Sequence, residues 1–410
     1  MAFSNVTAKR PKGIINVLLV KGKNAYYKIP HSIRWIFWPF RFAYKFYNIF
    51  LLESWTLSGK EITSGQELLI MYAGHIEDKN YFASLVFGNS FQQKFMGRKW
   101  LWKVLKAVKN NEQNYSLSII ELPRKLLSLS KKMNSFYIPS WISGSFNISN
   151  NKYDIFKNRN TSLKSDISKI KRNRLDFEIT HEQSQLRNFY FNMYEPYIKK
   201  IYGNKTVFFS SYDFVEREFK KRGVYKDLLL IKKDDDYIAG VLLYYKGKCG
   251  KLSVLGVKDG NMDYVKDGAI GAIYYFSTLY FEQKGFDRIS LGGSRPFMKD
   301  GVLKYKKKWK PKIAHHTKTG FIIKMLSETN GCKGFFLNNP FVFEDASGVN
   351  GAVFVENNQE LSQEYFENIY KNYYYNGMSK LTVYQFGKEK SNDACQIPSS
   401  LSEIITVQSI

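Results

Sequence analysis

The sequence predicts a mixed α/β fold, with a mainly antiparallel central sheet flanked by helices, a smaller N-terminal α/β segment and a C-terminal extension. Three observations carry that expectation. Apolar runs at 227–232, 237–245 and 251–257 are separated only by short turns at 234–236 and 247–250, the pattern of a three-strand meander. A long apolar stretch at 268–284, stopped by Gly285, exceeds strand length and reads as a helix. Strand-like and helix-like segments alternate on both sides of this block.

In chain order, Glu67–Gly74 (ELLIMYAG) is a continuous apolar run closed by glycine and reads as a buried strand. Residues 98–110 read as a helix, because Leu101, Val104, Leu105 and Val108 recur at helical spacing while Lys99, Lys103 and Lys106 fall opposite. A strand at 115–121 and a short helix at 123–130, opened by Pro123, follow. Next come a basic helix at 162–174 and an alternating strand at 175–179. Thr180 and Gln183 have capping-box spacing for a helix through Ile198, and Ser211 caps another that ends at Gly223. Beyond the meander and the long helix lie a strand at 287–291, a glycine-rich loop, a short basic helix at 301–309 and a strand at Thr319–Met325, the stretch from 162 to 325 forming one sheet. The tail holds strands at 351–355 and 381–386 around a helix at 362–374, and residues after Lys390 are expected to fray. Four parts result: an aromatic and basic arm (1–60), a smaller α/β part (61–160) with two clear strands, a core (161–330) and an extension (331–410).

The 410 residues include 62 basic and 36 acidic ones, a net charge of +26 that attracts phosphates, nucleic acid or an anionic membrane face without choosing among them. Aromatics make up 17%, for which core packing is the default over a substrate groove. Cys249, Cys332 and Cys395 lack CxxC spacing, which excludes a disulfide framework and a cysteine zinc site and fits a reducing compartment. The five histidines show no ligand spacing, so no metal is assigned. No signal peptide is visible, and the expected location is cytoplasmic. Residues 33–52 (IRWIFWPFRFAYKFYNIFLL) are interrupted by Pro39, Arg41 and Lys45, against a spanning helix. They read either as an arm packed on the protein or as a segment in peripheral contact with an anionic membrane at its inner face.

Two stretches carry a family resemblance. Residues 257–271 (VKDGNMDYVKDGAIG) join the meander to the long helix, with Lys266 followed by glycines at +2 and +5. Residues 281–309 (FEQKGFDRISLGGSRPFMKDGVLKYKKKW) combine a Lys-Gly helix end, a strand ending in glycine, a loop and an aromatic-Lys-x-x-aromatic run. In this order, over roughly 162–325, the elements resemble the core of the GNAT acyltransferase superfamily, and the second stretch resembles its FemAB-like branch. The run from Asn188 onward is similar to the substrate-side helix of such proteins. The sequence departs from the usual donor loop, whose glycines stand at +3 and +5, and has Lys310 where the branch usually has glycine.

The resemblance implies an enzyme, an N-acyltransferase. An acyl or aminoacyl group would pass from an acyl-CoA or a tRNA donor to an amine acceptor, such as an amino sugar or peptide of a cell-surface polymer. The strands before and after the long helix would splay, with the donor in the gap and its phosphates at the helix start. Val257, Lys266, Gly268, Gly271 and Arg295 are the expected donor-binding residues. Lys306, Tyr305 and Glu216 are the expected catalytic residues, with Lys306 on donor phosphate or on the developing oxyanion. For Lys306 the alternative is a solvated basic helix face shared with Lys304, Lys307, Lys308, Lys310 and Lys312; for Arg295 it is a loop ion pair with Asp300. Tyr194, Tyr275 and Trp309 are assigned to substrate. Competing readings are an aminoacyl-tRNA-dependent transferase building peptidoglycan cross-bridges, and a non-catalytic binding protein on a degenerate GNAT fold.

Overall fold

The computed structural model describes residues 39, 46–47, 49–111, 114–148, 161–202, 211–220, 225–387 and 397–410. Most of the 33–52 stretch therefore lies outside the described residues. The chain divides into the units Met1–Leu52 and Glu53–Ile410. Among the described residues, no helix is long and apolar enough to cross a membrane.

The described chain runs β1 (Leu51–Lys60), β2 (Glu67–Gly74), α1 (Ile76–Phe87), β3 (Gln92–Trp100), α2 (Leu101–Asn110), β4 (Leu117–Pro123), α3 (Ser128–Lys132), β5 (Phe136–Pro139) and β6 (Ile142–Asn147). It continues through α4 (Thr161–Arg172), β7 (Asp176–Thr180), α5 (Gln183–Phe189), a π-helical turn (Tyr190–Tyr194), α6 (Glu195–Tyr202) and α7 (Tyr212–Lys220). The meander is β8 (Tyr225–Lys233), β9 (Asp236–Lys246) and β10 (Cys249–Val257), followed by α8 (Met262–Lys266), α9 (Ala269–Gln283), β11 (Arg288–Ser294), α10 (Gly301–Lys307) and β12 (Lys312–His315). Last come β13 (Thr319–Met325), α11 (Asn330–Asn338), β14 (Phe341–Asp345), β15 (Gly348–Val355), α12 (Gln363–Tyr373), β16 (Leu381–Gln385) and β17 (Ile405–Ser409).

Two sheets result. The seven-stranded one has the order β12-β6-β11-β10-β9-β8-β7 and is antiparallel except at β10–β11. Its meander is buried on both faces. Along β8, Leu229 and Ile231 point into one apolar cluster with α4 and α9, while Leu228 and Leu230 point into another with α5 and the π turn. That two-sided burial makes β8 a continuous apolar run rather than an alternating one. Helix α9 is apolar on nearly all sides because it lies between this sheet and α4, whose Leu163, Ile167 and Ile170 form its buried stripe.

The ten-stranded sheet has the order β17-β16-β15-β14-β5-β13-β4-β2-β1-β3. It corrects several expectations. Thr319–Met325 belongs here, between β4 and β5, and not with the meander. Residues 61–160 contribute five strands, β2 to β6, not two, and β6 crosses to the seven-stranded sheet between β11 and β12. Residues 98–100 end β3 instead of opening a helix. Residues 405–409, expected to fray, pair in parallel with β16. At 180–183 the residue before α5 is Glu182, and Thr180 Oγ1 accepts its amide at 3.2 Å, so no capping box forms.

Candidate functional site

The pairing between β10 and β11 is short. It runs from Cys249↔Arg288 to Lys251↔Ser290 and stops, although both strands continue. Each carries an irregularity where they part: the register with β9 shifts between Leu252 and Leu255, and the register with β6 shifts between Ser290 and Gly293. Bulges bend a strand and increase its twist, so two at one level drive neighbours apart. Gly292 sits at the divergence with φ +74, and a Cβ there would stand 2.9 Å from the Leu252 carbonyl oxygen.

A cavity of about 540 Å³ occupies the opening. Leu252–Leu255 of β10 and Leu291–Gly293 of β11 form its edges. Tyr194, Tyr197, Ile198 and Ile201 wall it from one side, and Val265, Ile270 and Tyr274 from the other. Gly256 lets the π turn approach, since a Cβ there would meet the Tyr194 backbone nitrogen at 2.4 Å. A second cavity, about 450 Å³, adjoins the first through Trp141, Ile201, Gly293, Asp300 and Val302, which line both. It extends to Asn80, Tyr81, Ser84 and Leu85 of α1.

Lys306 lines the first cavity and is only 4% exposed. Its Nζ donates to the Gly293 carbonyl oxygen at 2.7 Å. Burial pulls its pKa down from 10.5 to about 7; the charge of Asp300 opposes that fall and that of Lys251 adds to it. The buried amine is not part of a solvated basic face. Asp300 caps α10, its carboxylate accepting the Leu303 amide at 2.9 Å, and burial holds its pKa above the usual value. Tyr305 also lines the cavity and donates to Asp166 Oδ2 at 3.1 Å. Burial first, and Asp166 next, raise its pKa well above 10, so it stays protonated. Lys308 is bonded to Asp166 and lies 3.5 Å over the Tyr305 ring; it is a packed residue, not a bystander.

Arg295 is buried beside the second cavity. Its partner is Asp78 of α1 at 2.7 Å, in place of the expected Asp300, and it also donates to the Ser140 carbonyl oxygen at 3.0 Å. Its guanidinium lies over the rings of both Tyr81 and Trp141, at 4.2 and 4.4 Å from their centroids.

Other expected residues lie elsewhere. Gly268 and Gly271, expected to leave room for donor phosphates, leave room for α4: added Cβ atoms would each stand 3.0 Å from a Cβ, of Lys169 and Asp166 respectively. Val257 is buried in the core and Lys266 is exposed, bonded to Asp263 at 2.9 Å. Glu216, on α7, accepts from Gln183 and is not a lining residue. Tyr275 packs on Phe276, and Trp309 stacks on Tyr274; neither is a lining residue of the cavity. Of the expected set, Tyr194, Tyr305 and Lys306 meet in the first cavity. Sequence reasoning missed Trp141 as a wall and Asp300 as a lining cap. Asp300 had a signal, an acidic residue directly before a helix start; Trp141 had none.

The sequence matches no protein-family model, and no curated protein matches it. Among solved structures the chain is similar to L-PGS from Bacillus licheniformis, with a TM-score of 0.34, 9% identity, and 68% of this chain and 86% of that one covered. It is similar to FemX with a TM-score of 0.35, 11% identity and coverage of 65% and 83%. For a tandem GNAT protein from the clavulanic acid biosynthesis pathway the values are 0.27, 6%, 65% and 81%. At such values no residue role passes from those proteins to this chain.

Proposed function

We propose that the chain is a transferase that moves an acyl or aminoacyl group from a CoA thioester or an aminoacyl-tRNA to an amine. The observation that carries this reading is the open seam between β10 and β11, with the near-neutral Lys306 at its floor. An apolar cavity in the plane of a sheet, beyond the carboxyl end of the short pairing, is where a carbonyl can be held out of water. The neutral amine of the acceptor attacks that carbonyl directly, the C–O or C–S bond to the donor then breaks, and the proton the amine loses goes to the departing oxygen or sulfur. Lys306 donates to the oxygen as it gains charge, Tyr305 holds the wall through Asp166, and Asp300 keeps α10 in place. The acceptor approaches through the adjoining cavity beside Arg295. Acceptors of the sugar-amine or peptide-amine class remain the resemblance's suggestion.

A panel of CoA thioesters and aminoacyl-tRNAs, assayed against amine acceptors, tests this. Lys306→Ala is expected to lower turnover about a hundredfold or more. The exposed Lys304→Ala should leave it unchanged and shift stability by less than about 0.5 kcal/mol. Activity should fall above about pH 7 as Lys306 loses its proton. A rise through that pH would reassign Lys306 as the base. One observation favours a second reading, a binding protein without turnover: α4 covers the glycines at the start of α9. Donor retained unchanged on the purified protein, with no transfer to any amine, would decide for it.

A further inference from the structure

Helix α2 and the strand before it form a face that no part of the cleft uses. β3 is the terminal strand of the ten-stranded sheet among the described residues. From Lys79 to Asn111 the chain carries Lys79, Lys94, Arg98, Lys99, Lys103, Lys106 and Lys109 and no acidic residue. Lys94, Arg98, Lys103, Lys106 and Lys109 are exposed, and Glu53, which accepts from Arg98 at 3.0 Å, is the acidic group bonded to this face among the described contacts. Large apolar side chains stand among the cations: Trp102 is 54% and Phe95 50% exposed. Leu101, Val104 and Val108 turn inward, whereas Trp102, Lys106 and Lys109 follow one another at i, i+4 and i+7 on the outer side of α2. Trp100 stacks on Trp102, with ring centroids 4.8 Å apart and planes 9° apart.

We propose that this β3–α2 face docks the protein on an anionic lipid surface, with Trp102 and Phe95 at headgroup depth and the lysines on lipid phosphates. The arrangement fits that partner for three reasons. Tryptophan beside lysine and arginine suits the boundary between headgroups and chains. Half-exposed rings stand out from the surface, whereas a nucleic-acid strand is gripped by rings lining a groove. A further strand is discouraged at this edge by its lysines and by Gly97, at φ +88.

The test uses the full chain and vesicles of phosphatidylglycerol with phosphatidylcholine, against phosphatidylcholine alone. Wild type should sediment with the anionic vesicles and be released by high salt. Lys103→Gln/Lys106→Gln/Lys109→Gln should weaken partition about a hundredfold, since each cation near such a surface is worth roughly fivefold. Phe95→Ser/Trp102→Ser should weaken it about tenfold or more, with unchanged melting temperatures for both variants. Lipids brominated in the upper chain should quench tryptophan emission in wild type, and Trp102→Phe should remove most of that quenching while binding persists. Equal binding by all variants, or binding without quenching, overturns the proposal. So does preferential loss of single-stranded RNA binding in the same variants, measured by anisotropy, which would assign the face to nucleic acid.

Discussion

Two seams of the seven-stranded sheet lie two strands apart and are built in opposite ways. Between β8 and β9 the pairing runs from Tyr225↔Tyr245 to Lys233↔Asp236, with leucines and valines from both strands packed into cores on either face. Between β10 and β11 it ends at Lys251↔Ser290, and a cavity opens past that pair. A closed seam holds itself through ladder hydrogen bonds and side-chain burial. An open seam gives up both and has to be held from outside. Beyond its pairing with β6, β11 is held by residues past its end: Arg295 fastens it to Asp78 and to the Ser140 carbonyl, and α10, capped by Asp300, closes the floor.

That difference is sharpest at the external hold, so Arg295→Met should have the largest effect. Removing one partner of a buried ion pair typically costs about 3–5 kcal/mol, because the other charge remains. Chemical denaturation should show a loss of that size; less than about 1 kcal/mol would mean the open seam does not depend on this bond. Filling the floor comes next. Lys306→Met exchanges an amine, whose charged form is penalised by burial, for an apolar chain of similar length. With the folded pKa near 7 and the ordinary value at 10.5, the unfolded chain binds the extra proton between these limits. Wild type therefore loses stability as pH falls from about 10.5 to about 7, and the penalty is constant below. The variant should be more stable at pH 7, by up to about 4 kcal/mol, an advantage that fades towards pH 10.5. Parallel melts across that range check the sign. The smallest effect is expected at the hinge: Gly292→Ala, at φ +74 and close to the Leu252 oxygen, should cost about 2 kcal/mol or a little less. The matched Gly247→Ala, in the turn between β9 and β10 at φ +58 with nothing near its Cβ, should cost about 1 kcal/mol. If the two lose the same amount, the close approach at the splay contributes nothing beyond backbone strain.

The meander was legible because β8 and β9 are long apolar runs bounded by Asp-Asp-Asp and Gly-Lys turns, so length and punctuation agree. β5, β6 and β12 were not: β5 and β12 are four residues each, β5 ends in proline, and β6 mixes glycine and serine with apolar residues. Their strand state comes from neighbours distant in sequence, a property that periodicity does not record. The same limit applies at the cleft. Lys304, Lys306 and Lys308 are identical letters in one run, yet they are exposed, buried in a cavity wall, and bonded to a helix more than a hundred residues earlier. One clue was present: Leu303 and Lys306 stand three apart, the spacing of a shared helical face, and both are buried. Gly268 and Gly271, read as donor-binding, stand close against α4, an approach between segments about a hundred residues apart that local pattern does not record.

The cavity at the open seam takes its walls from both helical layers, Tyr197 and Ile198 on one side and Ile270 and Tyr274 on the other. A sheet is ordinarily a partition, with its two faces sealed from each other by the ladder. Here it contains a window. Molecules resting against opposite layers can meet in the plane of the strands, so neither has to cross the hydrophobic core or leave before the other arrives.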